Sequence, residues 1–304
     1  MSRSSTFNQP SPKPSSGWVG VGLRHAHYGD AMSGTSAIDF VEVHAENFFA
    51  QGGASLSLLQ DVSERYPLSL HSTSLGLGSA SGINAAYLEK LALLTERVNP
   101  VLISDHACFT WSQLHGHSVH AGDLLPLEYS ARSLQLLIDN VDRVQQHFGR
   151  QILVENVSAY IAFNDTTMSE AEFLVALAQR SGCGLLVDLN NVLVNAHNFP
   201  EGDPLTVAKQ WVDAIPSELI GELHLAGYTP SVSPELIIDD HSQAVSEECW
   251  ALYEYTIQRT GPIATLIEWD NDLPAWPILV AEALKARCII DNVFYAQEGA
   301  SHVA

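Results

Sequence analysis

Short apolar runs alternate with amphipathic stretches along almost the whole chain. The runs Trp18–Leu23, Ile38–Val43, Leu68–His71, Val101–Ser104, Ile152–Glu155, Leu185–Leu189, Leu219–Leu225 and Ala264–Glu268 are mostly unbroken. That is the pattern of parallel strands buried on both faces. Between them the apolar positions recur at helical spacing. Tyr87–Val98 carries Leu88, Leu91, Leu94 and Val98 on one face, and Leu127–Phe148 carries Leu134, Leu137, Ile138, Val141, Val144 and Phe148. Glu170–Arg180, Pro204–Ala214, Ser246–Arg259 and Pro274–Ile289 follow the same rule. Asn84, Ser169, Asp203 and Ser246 stand where helix N-caps belong. Eight strand–helix units predict an α/β fold of the (β/α)₈ TIM-barrel type, for which about 250 residues is typical. A doubly wound open sheet is the alternative. Its nucleotide-binding form is disfavoured, because GVGLRHAHYGD after the first strand does not match GxGxxG.

Two connections depart from the regular unit. RHAHYGDAMSGTSA, between the first two strands, leaves room for a short helix at most. ACFTWSQLHGHSVHAGDLLP is an enlarged loop, expected to lie at the barrel mouth as a lid. We expect one domain over 18–292, a disordered Ser/Pro-rich segment over 1–17 and a flexible tail over 293–304.

The strand endings carry the chemistry. His71 closes LSLHS, His106 LISDHA, Glu155 ILVENV, Asp188 and Asn191 LLVDLNN, His224 ELHLAGY and Glu268 TLIEWD; IIDDHS adds Asp239 and His241. Such groups are costly in a core unless paired or bound to a metal. In a parallel barrel all strand C-termini meet at one face, and His71 to His106, Glu155 to Asp188 and Asp188 to His224 are each about one unit apart. Imidazole and carboxylate donors without thiolate suit Fe, Mn, Zn or Co and argue against Cu(I) or an Fe–S cluster. The donors exceed what one ion takes, which implies two or three ions with a carboxylate such as Glu155 bridging. Asp239 and His241, at i and i+2, can point to the same side of an extended segment. Each donor also has a plainer reading: a strand-end His satisfied by hydrogen bonds, Asp188 as a helix N-cap, Asp239 and His241 as a solvated loop.

Asn156, Asn190, Asp105 and Asp270 flank the donors and are expected to orient them from behind. His115, His117 and His120 read as an exposed lid rather than a metal site. Arg24, His25 and His27 could meet a substrate carboxylate. Glu46 and Asn47, after His44, could contact substrate or close their own loop. Phe48, Phe49, Trp111 and Trp269 could wall the site or pack in the core. There is no GxSxG, so acyl transfer through a serine is not expected.

The net charge is −21, from 35 acidic and 14 basic residues. This disfavours a nucleic-acid partner, whose phosphates need Lys and Arg. No apolar run approaches the ~20 residues that span a bilayer. MSRSSTFNQPSPKPSSG lacks the apolar stretch of a secretory signal, so a cytoplasmic protein is expected. Cys108, Cys183, Cys249 and Cys288 are scattered without CxxC spacing and read as reduced thiols.

The segments VEVHAENFF, LHSTSLGLG, ISDHACF, LVENVS, VDLNNVLVNAHN, ELHLAGY, DDHS and LIEWD together resemble the multinuclear non-haem iron-dependent oxidase family, whose best-known members make methanobactin, a copper-binding peptide. The resemblance covers about Gly20 to Ile290. It implies a (β/α)₈ barrel similar to xylose isomerase and endonuclease IV. It implies iron ligands at His71, His106, Glu155, Asp188, His224 and Glu268, with Asp239 and His241 at a third position. Asn191 is the family's amide where endonuclease IV-like barrels carry a histidine. The implied centre is mixed-valent iron, two or three ions, with O₂ as cosubstrate, and Glu155, Asp188 and Glu268 are its expected catalytic carboxylates. The implied partners are a cysteine-containing precursor peptide and a small protein that binds the peptide's leader. Competing readings are a redox-neutral divalent-metal enzyme on the same barrel, such as a sugar isomerase or phosphodiesterase, and a non-catalytic metal-binding protein.

Overall fold

The computed structural model describes residues 17–34, 37–230 and 236–301; the expected disordered segment 1–17 lies almost wholly outside them. Eight parallel strands close into a barrel. They are β1 (Val19–Gly22), β2 (Phe40–His44), β3 (Leu68–His71), β4 (Leu102–His106), β5 (Leu153–Glu155), β6 (Gly184–Asp188), β7 (Ile220–Leu225) and β8 (Thr265–Ile267). Each falls within or against one of the expected runs. Each pairs with its sequence neighbours, and β1 closes the ring on β8. The open-sheet alternative is thereby excluded.

Nine helices surround the barrel among the described residues: α1 (Tyr28–Ser33), α2 (Ala54–Ser63), α3 (Ala85–Val98), α4 (Ala131–Phe148), α5 (Glu170–Ser181), α6 (Leu189–Asn198), α7 (Pro204–Asp213), α8 (Glu247–Thr260) and α9 (Trp276–Ser301). The four expected N-caps all act as such. Asn84, Ser169, Asp203 and Ser246 accept backbone N–H bonds from the first turns of α3, α5, α7 and α8.

Two helices were not legible as such. In α2, Leu56, Leu59 and Val62 face the core, but Gly53 at its N-cap and three serines dilute the pattern. In α6 the helix begins at Leu189, directly after the last strand residue Asp188, with no turn sequence to mark the junction. The expected lid loop is a β-hairpin, Phe109–Leu114 against His117–Leu125, turning at His115 and Gly116 with φ of 50° and 80°. Two successive positive φ values are what a tight hairpin turn demands. The final helix runs past Ile289 because Val293 also packs against the core, so much of 293–304 is helical.

Register decides what meets at the barrel's C-terminal rim. His44 lies beside His71, His106 beside Glu155, and Asp188 beside His224. Side chains two residues apart on a strand share a face. Below the rim, Glu42, Ser69, Ser104 and Glu222 therefore form a polar layer, all of them fully buried.

Candidate metal centre

Six strand-end donors converge, and Glu155 sits among them. Its Oε2 is 3.6 Å from His71 Nε2 and 3.3 Å from His106 Nε2, and its Oε1 is 3.9 Å from His224 Nδ1. His224 Nδ1 is also 3.0 Å from Glu268 Oε2. Donor atoms of His71, His106 and Glu155 lie within 4.8 Å of one another, and so do those of Glu155, Asp188, His224 and Glu268. Two ion positions that share Glu155 fit this arrangement. All six side chains are buried, yet Glu155 Oε2 and Asp188 Oδ2 have no hydrogen-bond partner. Orphaned buried oxygens of this kind are costly unless a cation completes them.

The surroundings aim the donors. Ser104 Oγ lies 2.8 Å from His71 Nδ1, which leaves Nε2 to face Glu155. Asp188 is a helix N-cap and a candidate donor at once. Its Oδ1 accepts the Asn191 N–H at 2.7 Å, and its Oδ2 points into the centre. Asn156 fixes that junction: its Oδ1 accepts the Asp188 N–H, and its Nδ2 donates to the Asp188 carbonyl. Asp105 acts through backbone rather than imidazole, accepting from Ser72 Oγ, Leu75 N and His106 N.

A third corner is built differently. His241 Nε2 is 2.7 Å from Asp239 Oδ1 and 3.8 Å from Asp188 Oδ2, while its Nδ1 is 3.4 Å from Glu268 Oε2. Asn190 Nδ2 donates to Asp239 Oδ1 at 2.8 Å, and Asn191 Oδ1 is buried without a partner. His241 has a positive φ of 45°, a sparsely populated conformation for a side-chain-bearing residue. The segment carrying it lies tight against Gly227, where an added Cβ would collide with the Ala244 carbonyl oxygen.

Charge is divided across the centre. Burial, reinforced by the neighbouring imidazole, holds His71 well below the usual range, and burial lowers His106 to about 4. Both are neutral near pH 7 and offer lone pairs. For His224, burial opposes protonation, but Glu42 and Glu268 override it and raise the group well above its ordinary value. The same holds for His241, against Asp239 and Glu268. Burial pushes Glu155 well up and Asp188 to about 7. Burial would raise Glu268 too, but His241 and His224 outweigh it and hold the group well below the carboxylate range. A metal entering here displaces protons from His224 and His241.

Arg24 is placed otherwise than expected. It is buried, and its Nε donates to Asp270 Oδ1 at 2.7 Å. Its Nη2 lies 3.4 Å from Glu268 Oε1 and donates to His44 Nε2 at 3.0 Å. A fixed cation therefore already serves His44, Glu268 and Asp270, and no ion is needed there. Neither Arg24 nor His44 announces this role in sequence. His27 is structural: its Nε2 meets the Pro274 carbonyl and its ring packs on Trp276. Glu46 closes its own loop, accepting from Thr73 N, Thr73 Oγ1 and Tyr87 Oη. Phe48 and Trp269 are core, and Phe49 packs on Tyr87. His115 and His117 are exposed, and His120 packs on Trp111.

Above the centre lies a cleft of about 380 Å³. Its floor includes His44, His71, His106, Glu155 and Glu268, and its walls include Leu124, Leu125, Pro126, Val157, Tyr160 and Ile161. Tyr160 and Ile161 remain exposed at the rim. The hairpin thus contributes a wall through its second strand. No helix among the described residues is long and apolar enough to cross a membrane, and the four thiols are unpaired.

The barrel is similar to L-ribulose 3-epimerase (TM-score 0.57, 13% identity, 95% of this chain and 98% of the other). It is also similar to endonuclease IV from Thermus thermophilus (TM-score 0.52, 13% identity, 90% and 99%). At such identities the likeness shows the fold alone. Among sequence relatives, a UPF0276 protein of Rhizorhabdus wittichii is 43% identical over 270 residues, covering 88% of this chain and 93% of its own. Another from Chromobacterium violaceum is 42% identical over 274 residues, covering 90% and 95%. The model of the RiPP precursor modification enzymes MbnB/TglH/ChrH, which act on precursors of ribosomally made, post-translationally modified peptides, matches residues 18–291. With its barrel, its converging donors and its cleft, this chain belongs to that family.

Proposed function

We propose that this protein is a multinuclear iron-dependent oxidase that uses O₂ to modify cysteine residues of a ribosomally made precursor peptide, aided by a small partner that binds the peptide's leader. The observation that carries the metal reading is Glu155, buried between two donor groups with an oxygen left unpartnered. Nitrogen and oxygen donors without thiolate suit iron. Iron held there would supply redox-active positions able to take both a thiolate and O₂.

The chain's own groups do the rest. Leu124, Leu125, Pro126, Val157 and Ile161 line the cleft with apolar surface that excludes water around an entering side chain. The exposed Tyr160 and Ile161 offer apolar contacts to the flanking peptide. Arg24 holds Glu268 and Asp270 in place and donates to His44 Nε2, so that His44 carries its own proton on Nδ1 and faces the cleft in one tautomer. Glu155, Asp188 and Glu268 are the carboxylates positioned to hold the reacting metals.

The test is oxygen uptake by anaerobically iron-loaded protein on addition of a cysteine-containing peptide. Uptake that depends on both iron and cysteine is expected. Turnover with Mg²⁺ or Zn²⁺ in the absence of O₂ would instead indicate a redox-neutral enzyme.

A further inference from the structure

Below the candidate centre lie two carboxylates that the sequence pattern hides. Glu42 is two residues before His44 on β2, and Glu222 is two residues before His224 on β7; both are fully buried. Their carboxylate oxygens and a His224 ring nitrogen lie within 4.8 Å of one another. His224 spans the two layers. Its Nδ1 faces up, 3.0 Å from Glu268 Oε2 and 3.9 Å from Glu155 Oε1. Its Nε2 faces down, 3.5 Å from Glu42 Oε1, with no hydrogen-bond partner of its own. Ser69 Oγ donates to the other oxygen, Glu42 Oε2, at 2.8 Å. That bond fixes the carboxylate and leaves Oε1 free and aimed at the ring. Both oxygens of Glu222 also lack partners.

A neutral imidazole that gives its Nδ1 lone pair to a cation carries its hydrogen on Nε2. Within this barrel that N–H has Glu42 Oε1 before it. Resting on the metal-centre reading above, we propose that Glu42 is a positioning residue: its Oε1 accepts the Nε2–H of His224, fixing the ring's tautomer and the aim of its Nδ1 at the metal. Glu222 places a second carboxyl group beside the same edge. The opposite side of the centre is backed differently: His71 Nδ1 meets the neutral hydroxyl of Ser104, and His106 Nδ1 lies 4.0 Å from Asp105 Oδ1 with no hydrogen-bond partner. A carboxylate behind an imidazole makes it a stronger donor than a hydroxyl does. An ion held by His224, Asp188 and Glu268 would therefore be more electron-rich than one held by His71 and His106, and the two positions would be unequal.

Cobalt(II) titration of the metal-free protein, followed by visible absorption, tests this. At the strand-end pair of positions the wild-type protein should show two classes of bound cobalt. Glu42→Gln, which keeps the volume, should weaken one class about 10- to 100-fold and shift its absorption bands. His71→Ala should remove the other class and leave the first. Ser69→Ala should move the same class as Glu42→Gln, by less, and it decides the matter if Glu42→Gln does not fold by circular dichroism. Unchanged affinity and bands in the Glu42 variant, with His71→Ala still losing its class, would overturn the role of Glu42 alone. A wild-type protein that binds no cobalt would overturn the metal reading beneath it as well.

Discussion

The donors at the strand ends and those on the 239–241 loop face the same cavity but are held by different means. His71, His106, Glu155, Asp188, His224 and Glu268 sit at or next to the ends of hydrogen-bonded strands, and none has a side chain more than 8% exposed. Their positions follow from barrel register, which costs the chain nothing beyond folding. Asp239 and His241 have side chains 12% and 11% exposed, on a segment with a positive φ. They depend on borrowed contacts: Asn190 to Asp239, Asn198 clamping both polar groups of the Ile237 backbone, and the bare face of Gly227. On the proposed metal reading, a site built this way would give its ions a stiff pair of positions and a softer third.

The sharpest break in that comparison is Glu155→Gln. Glu155 touches both donor groups, so its loss should abolish metal uptake at the stiff pair. The metal-free fold should be no less stable than the wild type, because an unpartnered carboxylate has been removed. Metal content by atomic emission, with thermal melts of the metal-free protein, checks both halves. Next, Gly227→Ala should cost about 1–3 kcal/mol from overpacking. It should also dislodge Asp239 and His241 selectively, seen as loss of the weakest-bound metal with the stiff pair retained.

A smaller effect is expected from pH. His224 and His241 are held well above their unfolded value of 6.5. Their contribution to the metal-free fold is complete below about pH 6.5 and is lost as pH rises through their folded values. Melts of metal-free protein should therefore fall between about pH 6.5 and 8, by up to about 1.4 kcal/mol per pH unit for each linked proton. Loading with metal should remove the dependence, since the cation replaces the protons. The smallest effect is His117→Ala, in the exposed hairpin. It should leave metal content unchanged and stability within about 0.5 kcal/mol; a fall in metal content would place the hairpin tip in the site.

Legibility followed the same division. The strand-borne donors were readable because each ends an unbroken apolar run, where a polar residue is conspicuous. Asp239 and His241 were visible only as a short Asp-x-His pair, with nothing in sequence to show the Gly227 contact that seats them. Asp188 had two readings, donor or N-cap; its Oδ1 makes the cap, and its Oδ2 is left without a partner and free for the other. Arg24 was read toward substrate because a cation after a strand gives no hint of its partners; Asp270 lies 246 residues away. Glu42 and Glu222 were hidden inside the runs FVEVH and GELHL. Only barrel closure turns those two interior positions toward the same imidazole.

On the proposed reading, Glu155 joins two metal positions. This is tested most directly by counting iron per chain in anaerobically loaded wild-type and Glu155→Gln protein. More than one iron per chain is expected in the wild type, with loss of the shared pair in the variant. A wild-type protein that holds a single iron, or a variant that keeps the wild-type count, would contradict it.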